Sequence, residues 1–302
     1  MEVSIIIVNY NTCDLTRNCL KSVFEQTKDI EFEVIVSDNG SKDGSIEMIK
    51  TEFPQVILIE NNANLGFGAA NNRGVKIAKG KYIFYLNSDT ILLNNAVKIF
   101  YDYWEKSAEK DRIGALGCNL VDKNQKVTYS YGEFPNPLKE IWLFIRKIIA
   151  TYVKILYFCF YREYRIKPQI YKLKFGKVDH VSGADLFVRN NELAFFDERF
   201  FLYYEETNLE WHMMKKDLDR IIIPGPKIIH LCGGSDTIQH NGNIDDYVTF
   251  GRIQCDLSRI KFIKYNISYI YSFILKILLS WYWLTPKIYN KAKKYRKEIW
   301  KI

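Results

Sequence analysis

Side chains that can bind a cation or move a proton occur at separate places along the sequence. Asp38 and Asp89 follow short apolar runs, Glu205-Glu206 follows an aromatic run, and His230 ends a further apolar run. Carboxylate oxygens are the ligands that hard divalent cations prefer, and a neutral imidazole can join them. A carboxylate shielded by aromatic groups has a raised pKa and can act as a general base. These residue types could supply ligands for a cation and a general base.

The elements that would position these side chains alternate between strand and helix patterns. Four short runs are apolar on both faces, as buried parallel strands are: Ile5–Val8, Val34–Val36, Val56–Ile59 and Tyr82–Leu86. Helical spacing relates Leu15, Cys19 and Val23, and again Phe67, Ala70, Gly74 and Ile77. This alternation predicts a doubly wound α/β sheet, whose ligands bind beyond the carboxyl ends of its strands. Polar or glycine-rich segments follow all four runs, where such a site is expected.

Size and composition indicate a globular protein with an anionic partner. The chain has 302 residues, 48% of them hydrophobic, and a net charge of +8. Six cysteines without paired spacing are expected to be reduced thiols, and the N-terminus lacks the apolar run of a signal peptide. We therefore expect a cytoplasmic protein. Three regions are predicted: an α/β half over residues 1–125, a second half over 126–250 and a helical tail over 251–302.

Seven motifs in order resemble family 2 glycosyltransferases of the GT-A fold. They begin at Val3, Val36, Asn64, Leu86, Gly183, Phe196 and Ile229, and read VSIIIVNYN, VSDNGSKDGS, NLGFGAANN, LNSDT, GADLFV, FDERFFLYYEE and IHLCGGS. The resemblance implies an α/β, Rossmann-like GT-A fold, which the amphipathic tail would follow. It is nearest to the rhamnosyltransferase-type enzymes of bacterial surface polysaccharides. The implied activity is inverting transfer of a sugar from UDP or dTDP to a glycan or lipid-linked saccharide acceptor.

The resemblance assigns the first motifs to the nucleoside-diphosphate sugar. Asp38 would accept the N3–H of uracil or thymine, although Asp-Asn-Gly also favours a turn in which Asp38 caps the next helix. The remaining candidate donor-binding residues could equally serve ordinary loop packing: Asn9, Tyr10, Asn11, Asn64, Gly66, Asn71 and Asn72. Backbone N–H groups near Gly66 could face a diphosphate at a helix start. Small residues there would otherwise allow close packing on the sheet.

Asn87-Ser88-Asp89 occupies the place of the family's Asp-x-Asp motif, which implies a cofactor cation, Mg²⁺ or Mn²⁺. Asp89 supplies an anionic oxygen, whereas Asn87 brings a neutral oxygen better suited to a sugar hydroxyl or ribose. Because Asn87 stands where the family motif has its first Asp, the expected site has one negative charge fewer. The family also places a metal-binding His at His230. The alternatives are a type I turn at Asn87-Ser88-Asp89 and a structural role for His230.

The motifs after residue 180 are implied to bind the acceptor and to catalyse its attack. Gly183, Ala184 and Asp185 form the acceptor-facing motif, and Asp185 could bind an acceptor hydroxyl or be structural. Glu206 matches the family's catalytic base, while Glu205 would contact the acceptor or orient the loop. Two acids at a helix start could also simply favour the helix dipole.

Two stretches have the pattern of helices that lie on a membrane. In Leu138–Lys167 the basic residues cluster on one side of a helix, and the rest is mostly apolar and aromatic. The tail carries a polar stripe, and after Pro286 lysines flank an apolar face; the stripe is Ser268, Ser272, Lys276 and Ser280. Such helices favour peripheral attachment to an anionic surface, here the cytoplasmic face of the inner membrane. Packing onto the catalytic domain is the alternative.

Other functions remain to be weighed. A non-catalytic, membrane-associated scaffold that binds nucleotide sugars is compatible with Asn87. A nucleotide-sugar pyrophosphorylase would carry a glycine-rich, arginine-containing loop after its first strand, which Asn9-Tyr10-Asn11 does not resemble. We expect no nucleic-acid partner, because the positive charge clusters on apolar helices and not around exposed stacking aromatics.

Overall fold

The computed structural model describes residues 1–158, 171–231, 250–284 and 296–302. These residues form two compact units. The first contains residues 1–134, 171–201 and 205–231, and the second contains 135–158, 202–204, 250–284 and 296–302. The first unit thus combines residues of both predicted halves. The predicted basic stretch beyond residue 158 and the tail segment 285–295 lie outside the described residues.

The strands, in chain order, are β1 Val3–Asn9, β2 Phe32–Asp38, β3 Ile57–Glu60, β4 Tyr82–Leu86, β5 Thr90–Leu92, β6 Ile113–Gly117, β7 Tyr131–Gly132, β8 Gly176–Val178, β9 His180–Val181, β10 Asp185–Arg189, β11 Asp219–Ile222 and β12 Ile228–His230. The helices are α1 Cys13–Gln26, α2 Ser45–Glu52, α3 Phe67–Val75, α4 Ala96–Lys106, α5 Pro137–Phe158, α6 Glu205–Met214, α7 Phe250–Asn266, α8 Tyr269–Tyr282 and α9 Arg296–Lys301.

An eight-stranded sheet, in the order β3-β2-β1-β4-β10-β6-β11-β8, forms the centre of the first unit. The strands β1 to β4 are parallel, which confirms the α/β prediction. Burial on both faces is confirmed for β1 and β4 but is wrong for β3, where Ile57 is 37% exposed. The reason is that β3 ends the sheet and has a single neighbour. Strand β10 runs antiparallel between β4 and β6, which the apolar pattern did not predict.

Helices α1 and α3 pack on this sheet through the predicted faces, with one exception. Helix α1 buries Cys19 and Val23. In α3, a side chain at Gly74 would place its Cβ 2.7 Å from Ile6 Cγ2, so glycine permits the close approach of helix to strand. Ile77 is the exception, since it lies beyond the end of α3 and is 43% exposed.

The second unit consists of helices, and α8 packs against α5 and α7. The polar stripe of α8 faces the interior of this unit, since Ser272 is 1% and Lys276 is 6% exposed. The opposite face is apolar and exposed, as at Ile270 (71%) and Trp281 (60%). The stripe is therefore not the solvent face of a helix lying on a membrane. Within the described parts of the chain, no helix is both long enough and apolar enough to cross a bilayer.

The start of α3 closes tightly on the loop at Phe201. The backbone N–H of Phe67 donates to the Phe201 carbonyl at 2.9 Å. Gly66 has φ +86° and ψ 171°, and a Cβ there would lie 2.3 Å from the same carbonyl oxygen. Only glycine adopts this conformation readily, and only glycine leaves room for the carbonyl.

We expect Gly66→Ala to lower the free energy of unfolding by at least about 2 kcal/mol, because strain and a backbone clash combine. Gly44→Ala is the matched control, since Gly44 has φ +85° but open space where a Cβ would lie. Its cost should be about 1 kcal/mol. Urea denaturation of both variants measures the difference. Equal losses would contradict the close approach at Phe201.

Candidate functional site

The predicted site residues of the first unit gather where parallel strands end. Strands β1, β2 and β4 are parallel, so Asn9, Asp38 and Asn87 lie at one edge of the sheet. Strand β10 is antiparallel to β4 and begins at this edge, since Asp185 pairs with Leu86. The topology thus places the donor motifs and the acceptor motif side by side.

Asn9 organises the loops after β1 and β2. Its side-chain amide donates to Asp38 Oδ2 at 2.6 Å and to Ser41 Oγ at 3.0 Å. Its side-chain oxygen, Oδ1, accepts from the hydroxyls of Thr12 and Thr16, both at 2.7 Å. The side chain is fully buried and its hydrogen-bonding capacity is used. These bonds hold the two loops together, and a donor-binding role for Asn9 stays a prediction.

Asp38 has a similar local role. Its Oδ1 accepts from the backbone N–H groups of Gly40 and Ser41 at 2.9 and 2.8 Å, and the residue is fully buried. This is the turn chemistry of Asp-Asn-Gly, although Asp43, not Asp38, accepts from Ser45 at the start of α2. Recognition of a base by Asp38 stays a prediction. Tyr10 and Asn11 are exposed beside this turn and remain available to a ligand.

The Asn64–Asn72 motif mainly holds loops together. Asn64 Oδ1 accepts from Gly66 N at 3.0 Å, and Asn71 donates to the Phe67 carbonyl at 3.1 Å. Asn72 donates to the Phe196 carbonyl at 2.9 Å and accepts from Phe196 N at 2.8 Å. These bonds explain the motif by packing. The asparagines of this motif make these bonds without a bound diphosphate, so donor binding by the motif stays a prediction.

Asp89 and His230, the predicted metal ligands, meet through a small separate sheet. Strand β12 pairs antiparallel with β5 and sets His230 opposite Thr90. The backbone N–H of Leu231 also donates to the Asp89 carbonyl at 2.9 Å. As a result His230 Nε2 lies 3.2 Å from Asp89 Oδ1. Residues 141 positions apart in the sequence thereby form one pair of potential ligands.

The separation of this pair suits either an ion pair between the two side chains or two ligands of one divalent cation. Two ligands at about 2.1 Å from an octahedral ion, at a right angle, lie about 3 Å apart. The 3.2 Å separation agrees with that distance. Protein-bound Mg²⁺ commonly takes one or two protein ligands together with substrate phosphates. Asp89 and His230 could therefore hold Mg²⁺ or Mn²⁺ against a diphosphate.

Asn87 and Ser88 line the same corner. Asn87 donates its backbone N–H to the Ala184 carbonyl at 3.1 Å, which joins the donor motif to the acceptor motif. Its side-chain Oδ1 is buried and has no hydrogen-bond partner among the residues that the structure describes. Buried polar atoms are normally paired, so this oxygen suits a ligand hydroxyl or ion. Ser88 Oγ lies 3.2 Å from Thr12 Oγ1 in the neighbouring loop.

Asp185 is a buried carboxyl at the start of β10. Its Oδ2 accepts from the backbone N–H of Cys118 at 2.7 Å, and within the described part of the chain its Oδ1 has no hydrogen-bond partner. Burial raises the pKa of Asp185 to about 8, and the charge of His230 opposes that rise. The carboxyl is therefore largely protonated at neutral pH and can donate as well as accept. The acceptor-binding role predicted for it stays a prediction.

Glu205 and Glu206 open helix α6. Glu205 is buried and Glu206 is half-buried. Burial raises the pKa of Glu206, whereas the backbone N–H groups of Glu206 and Thr207 lower it. A Cβ at Gly183 would lie 3.5 Å from Glu206 Cβ, an ordinary van der Waals distance, so the acid lies directly beside the acceptor motif. The raised pKa is the direction expected of a general base.

Glu210 is a further acid that the motifs did not identify. It lies one helical turn after Glu206 and is fully buried. Its Oε2 accepts from Val181 N at 2.8 Å, and no described residue forms a hydrogen bond with its Oε1. Burial raises its pKa well above the usual value, and the charges of Glu206 and Asp185 raise it further. The spacing of four residues from Glu206 was the sequence signal that could have revealed it.

Comparison with known proteins agrees with this arrangement. Residues 4–169, more than half of the chain, match the model of Glycosyl transferase family 2. A poly(ribitol-phosphate) beta-glucosyltransferase of Bacillus spizizenii is 35% identical over 121 residues, which cover 38% of this chain and 19% of that protein. The UDP-Glc:alpha-D-GlcNAc-diphosphoundecaprenol beta-1,3-glucosyltransferase WfaP of Escherichia coli is 37% identical over 121 residues, covering 36% and 47%. The chain therefore spans less than half the length of either relative.

Solved structures share the fold over most of the chain. The mannosyltransferase PcManGT of Pyrobaculum calidifontis, solved with GDP-Man and Mn²⁺, has a TM-score of 0.55 at 15% identity. That comparison covers 97% of this chain and 73% of PcManGT. TarS of S. aureus has a TM-score of 0.52 at 14% identity, covering 94% and 44%. The predicted GT-A fold is confirmed.

Proposed function

Because the chain belongs to glycosyl transferase family 2, we propose that it transfers one sugar from a nucleoside diphosphate to a hydroxyl group, with inversion. The observation that carries this proposal is the position of the Gly183–Asp185 segment. Ala184 binds the backbone of Asn87 beside the candidate cation ligands, and Gly183 lies against Glu206. One short segment thereby joins a cation site to a carboxylate of raised pKa.

The cation ligands would hold the donor's leaving group. A divalent cation bound there supplies positive charge that stabilises the departing diphosphate. Asp89 and His230 provide the two protein ligands. Asn87 lies two residues before Asp89, and its Oδ1, which has no partner among the described residues, suits a hydroxyl of the donor sugar or ribose.

Glu206 would act as the base. A sugar hydroxyl is too weakly acidic to attack unaided, so a carboxylate must take its proton as the new bond forms. The acceptor oxygen forms a bond to the anomeric carbon, the bond from that carbon to the diphosphate breaks, and the proton ends on Glu206. The diphosphate leaves without a proton, so a second acid is not required. Glu205 would contact the acceptor or hold the loop.

The substrates proposed follow from the motifs and from the relatives. UDP or dTDP is proposed as the donor nucleotide, and a glycan or lipid-linked saccharide of surface polysaccharide synthesis as the acceptor. The name of WfaP states a UDP-linked donor and a diphosphoundecaprenol acceptor for that protein. Both named relatives are glucosyltransferases, so the rhamnosyltransferase branch stays a prediction.

A lipid-linked acceptor fits a surface on the second unit, which we propose binds an anionic bilayer at the cytoplasmic face of the inner membrane. Helix α8 exposes an apolar face that includes Ile270, Phe273 and Trp281. Trp300 of α9 stacks edge-on against Phe273 and is itself 54% exposed. Positive charge adjoins this face, since Lys264 lies over the exposed Tyr269 ring and lysines flank Trp300. Apolar area together with lysines favours anionic lipid.

The first prediction concerns the cation. We expect Asp89→Asn and His230→Ala each to weaken Mn²⁺-dependent binding of UDP by about tenfold or more, because each removes a ligand. Titration calorimetry with and without EDTA measures this. Asp111→Asn, an exposed acid at the opposite end of the sheet, is the control. Unchanged binding in both site variants would exclude these residues as ligands.

The second prediction concerns the base. Glu206→Gln should lower turnover by roughly 10²–10⁴ while UDP binding persists, because it keeps the shape but removes the proton acceptor. Glu205→Gln should reduce turnover less. Since the raised pKa favours the protonated acid, kcat/KM of the wild type should fall with decreasing pH, through a pKa above the ordinary 4.5. This acid limb should vanish in Glu206→Gln. A product with the donor's anomeric configuration would disprove inversion.

The third prediction concerns the membrane. Deletion of residues 266–302 would remove the buried Leu279 and Trp283 from the second unit, so surface substitutions are the better test. Phe273→Glu combined with Trp281→Glu should reduce sedimentation with phosphatidylglycerol vesicles by about tenfold. Tyr103→Glu, which changes an exposed residue of α4, should not change this sedimentation. Equal binding of wild type to neutral and anionic vesicles would contradict the charge argument.

A further inference from the structure

Glu210 is a buried acid for which the proposed chemistry has no use. It lies one helical turn after Glu206 on α6, within the first unit, and its side chain is fully buried. Burial raises its pKa well above the usual value, as do the charges of Glu206 and Asp185, so the neutral form is favoured. An apolar side chain would fill this position without the cost of burying a polar group. What the acid can do there, and an apolar side chain cannot, is bind the backbone.

The carboxyl of Glu210 binds the backbone just before the acceptor motif. Its Oε2 accepts from the N–H of Val181 at 2.8 Å. Val181 is itself fully buried, so water cannot replace this partner, and a buried N–H without a partner costs free energy. Gly183 follows two residues later, and a Cβ there would lie 3.5 Å from Glu206 Cβ. The bond thus ties residues 181–185, here called the acceptor segment, to the helix that carries the proposed base.

Other contacts attach the acceptor segment to the neighbouring strands. The backbone N–H of Ser182 donates to the Ser130 carbonyl at 2.9 Å. The Val181 side chain lies against Gly117 of β6, where a Cβ would come within 2.1 Å of Val181 Cγ1. These contacts, like the bond to Glu210, lie within the first unit. Without Glu210 the segment would keep them and lose its hydrogen bond to α6, so the expected change is a shift relative to α6 and not unfolding.

We propose that Glu210 is a positioning residue, which holds the acceptor segment against α6 through the N–H of Val181 and thereby sets where the acceptor lies relative to Glu206. This inference rests on the proposed roles of Glu206 as base and of Gly183–Asp185 in acceptor binding. The acceptor hydroxyl must lie within hydrogen-bond reach of the base as it attacks. A displacement of about 1 Å can cost about 10²-fold in rate. Donor binding is proposed for other residues and should not depend on Glu210.

Glu210→Met is the decisive variant, because it keeps the length of the side chain and removes the acceptor of the Val181 N–H. With the full chain, and with UDP-glucose and a diphospholipid-linked GlcNAc as substrate probes, kcat/KM for the acceptor should fall about tenfold or more. The Kd of UDP with Mn²⁺ should stay within about twofold. Glu210→Gln should keep kcat/KM within about threefold of wild type, since its amide oxygen can accept the same bond. Met213→Leu, a buried change on the same helix, is the control and should leave the acceptor kinetics unchanged.

Hydrogen exchange tests the same contact without any substrate. The amides of the acceptor segment should exchange about tenfold faster or more in Glu210→Met than in wild type, and at the wild-type rate in Glu210→Gln. Equal acceptor kinetics or equal exchange in these two variants would overturn the inference, as would a matching loss of UDP affinity in Glu210→Met. If Glu210→Met does not fold, Glu210→Asp, which withdraws the carboxyl by one methylene, should lower kcat/KM for the acceptor and leave UDP binding unchanged. Normal acceptor kinetics in Glu210→Asp would then overturn the inference.

Comparison with Glu206→Gln separates this inference from the proposed function. An acceptor-specific loss in Glu210→Met alongside an inactive Glu206→Gln would support both. Normal acceptor kinetics in Glu210→Met alongside an inactive Glu206→Gln would overturn the inference and leave the proposed function standing. Normal turnover in Glu206→Gln would overturn both, because Glu210 would then have no base beside which to hold the acceptor.

Discussion

The antiparallel pairing of β10 with β4 is the constraint on which the site depends. Strands β1 to β4 run parallel and end at one edge of the sheet, as a nucleotide-binding half requires. Because β10 runs the other way, its first residue, Asp185, meets the last residue of β4, Leu86. The segment just before β10 then reaches both Asn87 and Glu206. Parallel insertion would have set that segment at the opposite edge.

The edge built in this way is unusually rich in buried acids. Asp185, Glu206 and Glu210 come from two different elements, and burial raises the pKa of each. A raised pKa favours the neutral form of each carboxyl, which avoids the cost of burying several like charges. Glu206 is the least buried of the three and lies at a helix N-terminus, where backbone N–H groups favour its anionic form. Physical setting therefore singles out Glu206 among these acids as the one most able to ionise.

The second unit departs from the usual placement of polar and apolar groups on a helix. Helix α8 buries Lys276 and Ser272 against its neighbours and exposes Ile270 and Trp281. Burial lowers the pKa of Lys276, and the charge of Lys264 lowers it further. An exposed apolar face costs free energy in water and is seldom kept without a partner. An inverted helix of this kind suits a protein whose surroundings include lipid.

The sequence by itself determined the parallel strands, the ends at which ligands would bind, and the family to which the motifs belong. Buried parallel strands require continuous apolar runs, and turns at their ends require Asn, Asp and Gly, so local chemistry suffices for both. The meeting of Asp89 with His230 was implied by the family motifs, but the pairing of β12 with β5 accounts for it. Tertiary structure alone decided which groups Asn9 and Asn72 bind within the chain, that Glu210 is buried one turn after Glu206, and that the stripe at Ser272 and Lys276 faces inward. Periodicity shows that a helix has two faces, but which face is covered depends on neighbours distant in the chain.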